Sequence, residues 1–275
     1  VYTFIWTMLL AMEACAEIGI RFIVLDRPNP IGGIQREGAV LRKDFESFVG
    51  LHPIPLRHGL TCGELATWMN ETRGIGCDLE IIECRGWRRS MGWSDTGLPW
   101  VAPSPNLPTP VSCLVYPGMV LLEGTNLSEG RGTTKPFEYF GAPYLNIERL
   151  LDLLGQEHLD GVMIRPCHFE PTFQKYAGTM CAGGQLHVTD PATFQPVRTA
   201  ITILRAAREL APREFSWSKP PYEYEENLMP IDLIWGHNGL RHRIDDGATV
   251  DEVLEGVQED LDTFKEDIRD FLIYQ

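Results

Sequence analysis

The chain opens on an apolar run whose spacing predicts a buried helix over residues 2–18, closed by Gly19 in the left-handed C-terminal position. "RFIVLD" follows as a short, continuously apolar strand of the parallel-sheet kind, and "RPNPIGG" reads as a polar loop at its carboxyl end. Helix, strand and loop in that order make half of a doubly wound α/β unit, where ligands sit beyond the carboxyl ends of strands. Thr61 stands three residues before Glu64, a capping box opening a helix whose apolar positions Leu65, Trp68 and Met69 keep helical spacing. "LEIIEC" is the next strand, and "RGWRRSMGW" after it offers either a sugar-facing or a packed surface. Five prolines between Ser94 and Pro110 require a loop. The apolar run in "SCLVYPGMVLLEG" reads as a strand.

The second half repeats the mixture. "RLLDLL" and "PVRTAITILRAARELAP" are helices, and "GVMIRPCHFEP" and "GQLHVTD" are strands. One further helical stripe runs from Val250 through Val253, Val257, Leu261, Phe264 and Ile268 to Phe271, with acidic residues opposite. The fold class is α/β, with an incomplete Rossmann-like catalytic domain at 1–128 and a smaller α/β domain at 129–275.

Composition narrows the function. The 275 residues are 44% hydrophobic and 23% charged, a globular make-up with room for two domains. A net charge of −14 repels phosphate backbones and anionic lipid, which argues against nucleic-acid and membrane-surface partners. The opening apolar run is too short before Glu13 to span a bilayer, and no Lys or Arg precedes it as a leader requires. Seven scattered cysteines without a CxxC pair read as free, mostly buried thiols.

Candidate chemistry falls in two stretches. Asp26, Arg27 and Asn29 supply a carboxylate, a guanidinium and an amide within four residues, and Glu37 follows in "REG". A structural turn, capped by Asp and Asn and stiffened by proline, is the competing reading. His58 lies just before the predicted helix start, where a solvated loop histidine is equally ordinary. The second stretch, "LLEGTNLSEGRGTTKPFEYFGAP", holds Glu123, Asn126, Glu129 and Arg131 among glycines. It is no phosphate-binding loop, since five residues separate its glycines and Arg131 stands where lysine is required. No HxxxH or HExxH spacing points to a metal. Paired carboxylates remain, as glycoside hydrolysis uses them, against the alternative that Glu123 and Glu129 cap helices or pair with Arg131 and Lys135. His187 and Asp190 in "LHVTD" are lesser candidates.

The segments "LDRPNPIGG", "REGAVL", "FVGLHPIPLRHGLTCGELA", "GWRR", "TGLPWVAPSPNLPT", "YPGMVLLEGTNLSEGRGTTKPFE", "PTFQKYAGTMCAGGQLHVTD" and "PIDLIWG" resemble the NamZ exo-β-N-acetylmuramidases, once labelled DUF1343, along essentially the whole chain. The resemblance implies release of N-acetylmuramic acid from non-reducing ends of peptidoglycan fragments during cell-wall turnover, in a cleft between a Rossmann-like domain and a smaller one. It implies MurNAc-GlcNAc saccharides as partners and a periplasmic or secreted parent protein; no cofactor and no metal are expected, since the histidine spacing is wrong for a metal and no G-x-G-x-x-G follows "RFIVLD". Family members carry a further stretch ahead of this chain's first residue, with a Pro-Glu-His-Gly motif that adds a glutamate to the cleft. The chain is therefore expected to be a fragment, or a truncated relative reduced to binding wall sugars.

Glu37 matches the family's Glu-Gly motif, although Ala39 stands where proline is common. Glu123 and Glu129 match LEGTN and SEGRGT. The resemblance gives Glu37 the chemistry, with Glu129 or Glu123 as alternatives or substrate-orienting groups. Arg131 and Arg27 are candidates for the lactyl carboxylate of muramic acid, since guanidinium grips carboxylates bidentately. Asn29, Asn126 and His58 are candidates for N-acetyl and hydroxyl groups. The second stretch is expected to bring Glu123, Glu129 and Arg131 within reach of Asp26, Arg27 and Glu37.

Overall fold

The computed structural model describes residues 3–275. The chain divides into two compact units, one built from the chain up to Pro99 together with Gly256–Gln275, the other from Trp100–Glu255. The expected junction at residue 128 falls inside the second unit, which takes the longer stretch of this chain.

In the first unit, helix α1 spans Phe4–Ile18; Tyr2 of the expected helix lies outside the described residues. Gly19 ends it at φ 67°, and the Ile20 amide bonds back to the Cys15 carbonyl at 2.9 Å. Contrary to the expectation of a buried helix, α1 buries one face only: Trp6, Leu9 and Met12 go inward while Phe4, Leu10 and Ile18 are exposed. Strand β1 (Phe22–Leu25) follows, then β2 (Glu37–Val40) and β3 (Pro55–Arg57), an antiparallel pair that sets Glu37 opposite Arg57. Helix α2 (Cys62–Thr72) starts with the predicted capping box: Thr61 Oγ1 accepts from the Glu64 amide at 3.2 Å, and Glu64 Oε2 accepts from the Thr61 amide at 3.0 Å. Strand β4 (Leu79–Ile82) pairs parallel with β1, Phe22 against Leu79 and Leu25 against Ile82. This parallel pair, flanked by α1 and α2, is the Rossmann-like part.

The second unit opens on a helix. Residues expected to form a strand make helix α3 (Pro110–Met119), continued by a tighter turn over Val120–Gly124. Thr109 caps its start by accepting from the Ser112 amide at 3.1 Å, and Pro110 sits in the first turn. A short apolar run buried on several sides has no polar face to reveal its period, so strand and helix read alike. Three antiparallel strands follow in spatial order β5, β7, β6: β5 is Tyr139–Ala142, β6 Val162–Phe169 and β7 Cys181–Val188, with helix α4 (Ile147–Leu154) between the first two. Helix α5 (Pro196–Leu210) is buried except for its three arginines and its last turn, and it packs so closely on α3 that a Cβ on Gly118 would collide with the backbone of Pro196. Short helices α6 (Pro230–Trp235), α7 (Gly239–Asp245) and α8 (Val250–Val253) complete the unit.

The expected single C-terminal helix is broken. Gly256 at φ 82° separates α8 from α9 (Val257–Asp267), and α9 returns to the first unit. There Phe264 and Ile268 complete a core with Trp6, Leu9, Leu60, Leu65, Trp68 and Met69. The cysteines are free; Cys77, Cys113 and Cys181 are buried while Cys62 is exposed. No described helix is long and apolar enough to cross a membrane.

Candidate active site

The predicted residues divide between the units, and each group is described within its own. In the first unit Asp26 follows β1 and meets the start of α2. Its Oδ1 accepts from the amides of Gly63 at 2.8 Å and Arg27 at 2.9 Å; its Oδ2 accepts from Thr61 Oγ1 and the Tyr274 hydroxyl, both at 2.7 Å. Four donors, one of them in the first turn of a helix, hold this carboxylate. Gly63 is required there, because a Cβ would lie 2.8 Å from Asp26 Cγ. Burial, followed by the bond to Asp26, pushes the Tyr274 phenol well above its ordinary range.

Asn29 is buried and spent on the loop: its Nδ2 donates to the Leu60 carbonyl at 2.9 Å and its Oδ1 accepts from the Ile31 amide. His58, expected at the surface or in the cleft, is buried, and its Nδ1 accepts from the Leu60 amide at 3.0 Å. Burial drives its imidazole well below 6.5, so the ring is neutral with its proton on Nε2.

Glu37 differs from these. It begins β2, its side chain is 15% exposed, and Oε1 accepts from Arg57 Nη1 at 2.8 Å. Arg57 is itself almost wholly buried and also donates through Nη2 to the Ile31 carbonyl at 3.1 Å, so the carboxylate rests on an anchored cation. Arg27 is exposed, and its guanidinium has no ion-pair or hydrogen-bond partner among the described residues.

In the second unit the glycine-rich stretch closes on itself through charge. Glu123 Oε1 accepts from Arg131 Nη2 at 2.6 Å and Nε at 3.1 Å, while Oε2 accepts from the Tyr222 hydroxyl at 2.9 Å. Glu129, only 3% exposed, lies 3.4 Å from Arg131 Nε through Oε1 and 2.9 Å from Lys175 Nζ through Oε2. Lys175 also donates to the carbonyls of Leu122 and Leu127, and Arg131 lies over the Phe137 ring, 5.0 Å from its centroid. The two carboxylates of the loop are balanced by Arg131 within it and by Lys175 from a separate segment, and Tyr222, half-buried beside Glu123, has its phenol pushed up by burial and then by the Glu123 charge. Lys135, an expected partner of these glutamates, pairs with Glu138 at 3.1 Å instead. Asn126 donates to the Glu214 carbonyl and accepts from the Tyr144 hydroxyl and the Ser216 amide. Gly132, at φ 81° and packed against the Phe173 backbone, lets the loop pass where a side chain would collide. His187 and Asp190 stand exposed, Asp190 capping its own turn through the Ala192 amide.

Arg57, Glu64, Arg89, Lys175, Tyr222 and Tyr274 were not singled out from the sequence as site residues. Lys175 and Arg89 sit in quoted motifs, "PTFQKYAGTM" and "GWRR", yet their partners are distant in the chain: Lys175 bonds Glu129, and Arg89 Nη1 bonds the fully buried Glu64 at 2.6 Å.

The amino-acid sequence matches two known domain families. Residues 1–111 match the N-terminal domain model of exo-β-N-acetylmuramidase NamZ and residues 114–274 its C-terminal domain model. The chain belongs to the NamZ exo-β-N-acetylmuramidase family. It is 44% identical over 273 residues, 99% of its length, to the peptidoglycan β-N-acetylmuramidase NamZ of Bacillus subtilis (strain 168), and spans 64% of that relative. Two crystal structures of DUF1343 family proteins from Bacteroides fragilis NCTC 9343 are similar to it. One has a TM-score of 0.90 at 32% identity and the other 0.77 at 26%; each match covers 99% of this chain and 71% of the neighbour.

Proposed function

We propose that this protein is an exo-acting glycoside hydrolase that releases N-acetylmuramic acid from non-reducing ends of peptidoglycan fragments by carboxylate acid/base chemistry. The observation that carries the reading is the 44% identity, along 273 residues, with a NamZ named for peptidoglycan β-N-acetylmuramidase activity. One carboxyl group protonates the glycosidic oxygen, and another acts on the anomeric carbon or on a water. Glu37 is our choice of working carboxylate, since it is held by a buried guanidinium yet keeps some solvent access. Glu129 and Glu123 are assigned the task of holding the glycine-rich loop, because their oxygens are engaged by Arg131, Lys175 and Tyr222. The parent protein works in the periplasm or outside the cell, which fractionation against a cytoplasmic marker tests.

In the full-length protein, Glu37→Gln keeps a hydrogen-bond acceptor for Arg57 while removing the charge. It is expected to lower turnover of MurNAc-GlcNAc by about 10²–10⁴-fold with KM little changed. Unaltered turnover in a folded variant would remove Glu37 from the chemistry.

A further inference from the structure

At the carboxyl ends of the parallel strands β1 and β4 the first unit contains a cavity of about 330 Å³. Its walls carry Asp26, Arg27 and Arg85 as their charged groups, with Trp87, Met91 and Leu98 among the apolar ones. The charges sum to +1 on a chain whose net charge is −14, so the cavity is locally suited to an anion on an otherwise anion-repelling molecule. Asp26 is committed: its two oxygens take the four donors described above. Arg27 and Arg85 are exposed, and neither guanidinium has an ion-pair or hydrogen-bond partner among the described residues. Arg131, the other guanidinium that sequence offered for a substrate carboxylate, is occupied by Glu123 and Glu129 and lies over Phe137.

The apolar side of the cavity completes the chemistry. Trp87 is buried and packed edge-on against Tyr274 at 5.0 Å, so it is a fixed wall, while Leu98 is half exposed at the rim. Two unspent guanidinium forks beside apolar surface suit a carboxylate carried on a short aliphatic arm, and they suit a neutral hydroxyl less well. We propose that this cavity is the specificity site for the acidic arm of the sugar, with Arg27 and Arg85 gripping its carboxylate and Leu98 and Met91 packing against its methyl group. The inference rests on the function proposed above in its choice of ligand.

The test measures binding of free sugars to the full-length protein by titration calorimetry, so that it does not depend on hydrolysis. N-acetylmuramic acid is expected to bind more tightly than N-acetylglucosamine, and the Arg27→Ala/Arg85→Ala double variant should lose about tenfold or more for the former while changing little for the latter. Arg27→Lys/Arg85→Lys should fall between, since lysine keeps the charge without the fork. If the alanine variant misfolds, Leu98→Glu at the exposed rim should repel the acid selectively. Unchanged affinity for N-acetylmuramic acid in a folded double variant overturns the proposal. So does displacement of the sugar by inorganic phosphate at equal concentration, which would mark a general anion site. If the wild-type protein hydrolyses no muramyl fragment yet shows the Arg-dependent preference, the cavity assignment stands and the proposed function falls. If hydrolysis is intact and the double variant keeps its KM for muramyl substrates, the reverse holds.

Discussion

Glu129 separates two uses of a carboxylate. It is 3% exposed and bound by Lys175 and Arg131; Arg131 keeps Glu123 when Glu129 is removed, but the Lys175 ammonium loses its carboxylate at a largely buried position. Glu129→Ala should therefore destabilise the second unit by about 3–5 kcal/mol, visible as a lower urea midpoint. A variant with unchanged stability and lost activity would instead make Glu129 catalytic. Histidine burial gives a second residue-level outcome. His58 is driven well below 6.5 by burial, and His52 to about 4 by burial and then by the charge of Arg73. The unfolded chain binds these protons near 6.5 while the folded chain resists them, so stability holds above that pH and falls as pH drops from about 6.5 toward about 4. Denaturant midpoints at pH 7.5 and 5 check this, and His52→Asn should flatten the slope; a midpoint independent of pH in that window would contradict it.

The elements show what sequence could carry. Capping at Thr61, the glycine stop at Gly19 and the continuous apolar run of β1 are local signals, and all three were legible because they act within a few residues. The helix α3 was not, since its buried positions lack a polar face. The split of the C-terminal stripe was not either. Gly256 stood in plain sight, but only packing of Phe264 and Ile268 against Trp6 and Trp68 reveals that α9 belongs to the first unit. The same limit applied at the site: Asp26, Glu37 and Glu123 were picked out by residue type and motif, whereas their partners Tyr274, Arg57 and Tyr222 come from separate elements of the chain. Phe264→Ala is expected to cost about 3–5 kcal/mol through the cavity left where α9 packs on Trp68 of α2, and circular dichroism melts would register it. Gly63→Ala should cost about 1–3 kcal/mol, because its Cβ would meet Asp26 Cγ and Ile81 Cγ2, each at 2.8 Å, and push α2 away from the strand ends. A neutral effect would mean that this close approach is unimportant.

At the scale of the molecule, the first unit exposes apolar surface that its own two parallel strands do not bury. Phe4, Leu10 and Ile18 on α1, Ile23 and Leu25 on β1, and Ile82 beside Leu25 on β4 are all exposed. A two-stranded sheet with such a face is marginal alone. Residues 1–275 produced as an isolated polypeptide should bind a hydrophobic dye and self-associate in light scattering; a dye-silent monomer would contradict this. The central claim concerns the whole protein and its substrate. Its most direct test is to incubate the full-length enzyme separately with MurNAc-GlcNAc and GlcNAc-MurNAc and to identify the sugars released. Release of N-acetylmuramic acid from the first, with the second left intact, is the predicted result; cleavage of the GlcNAc-terminated disaccharide alone would contradict the account.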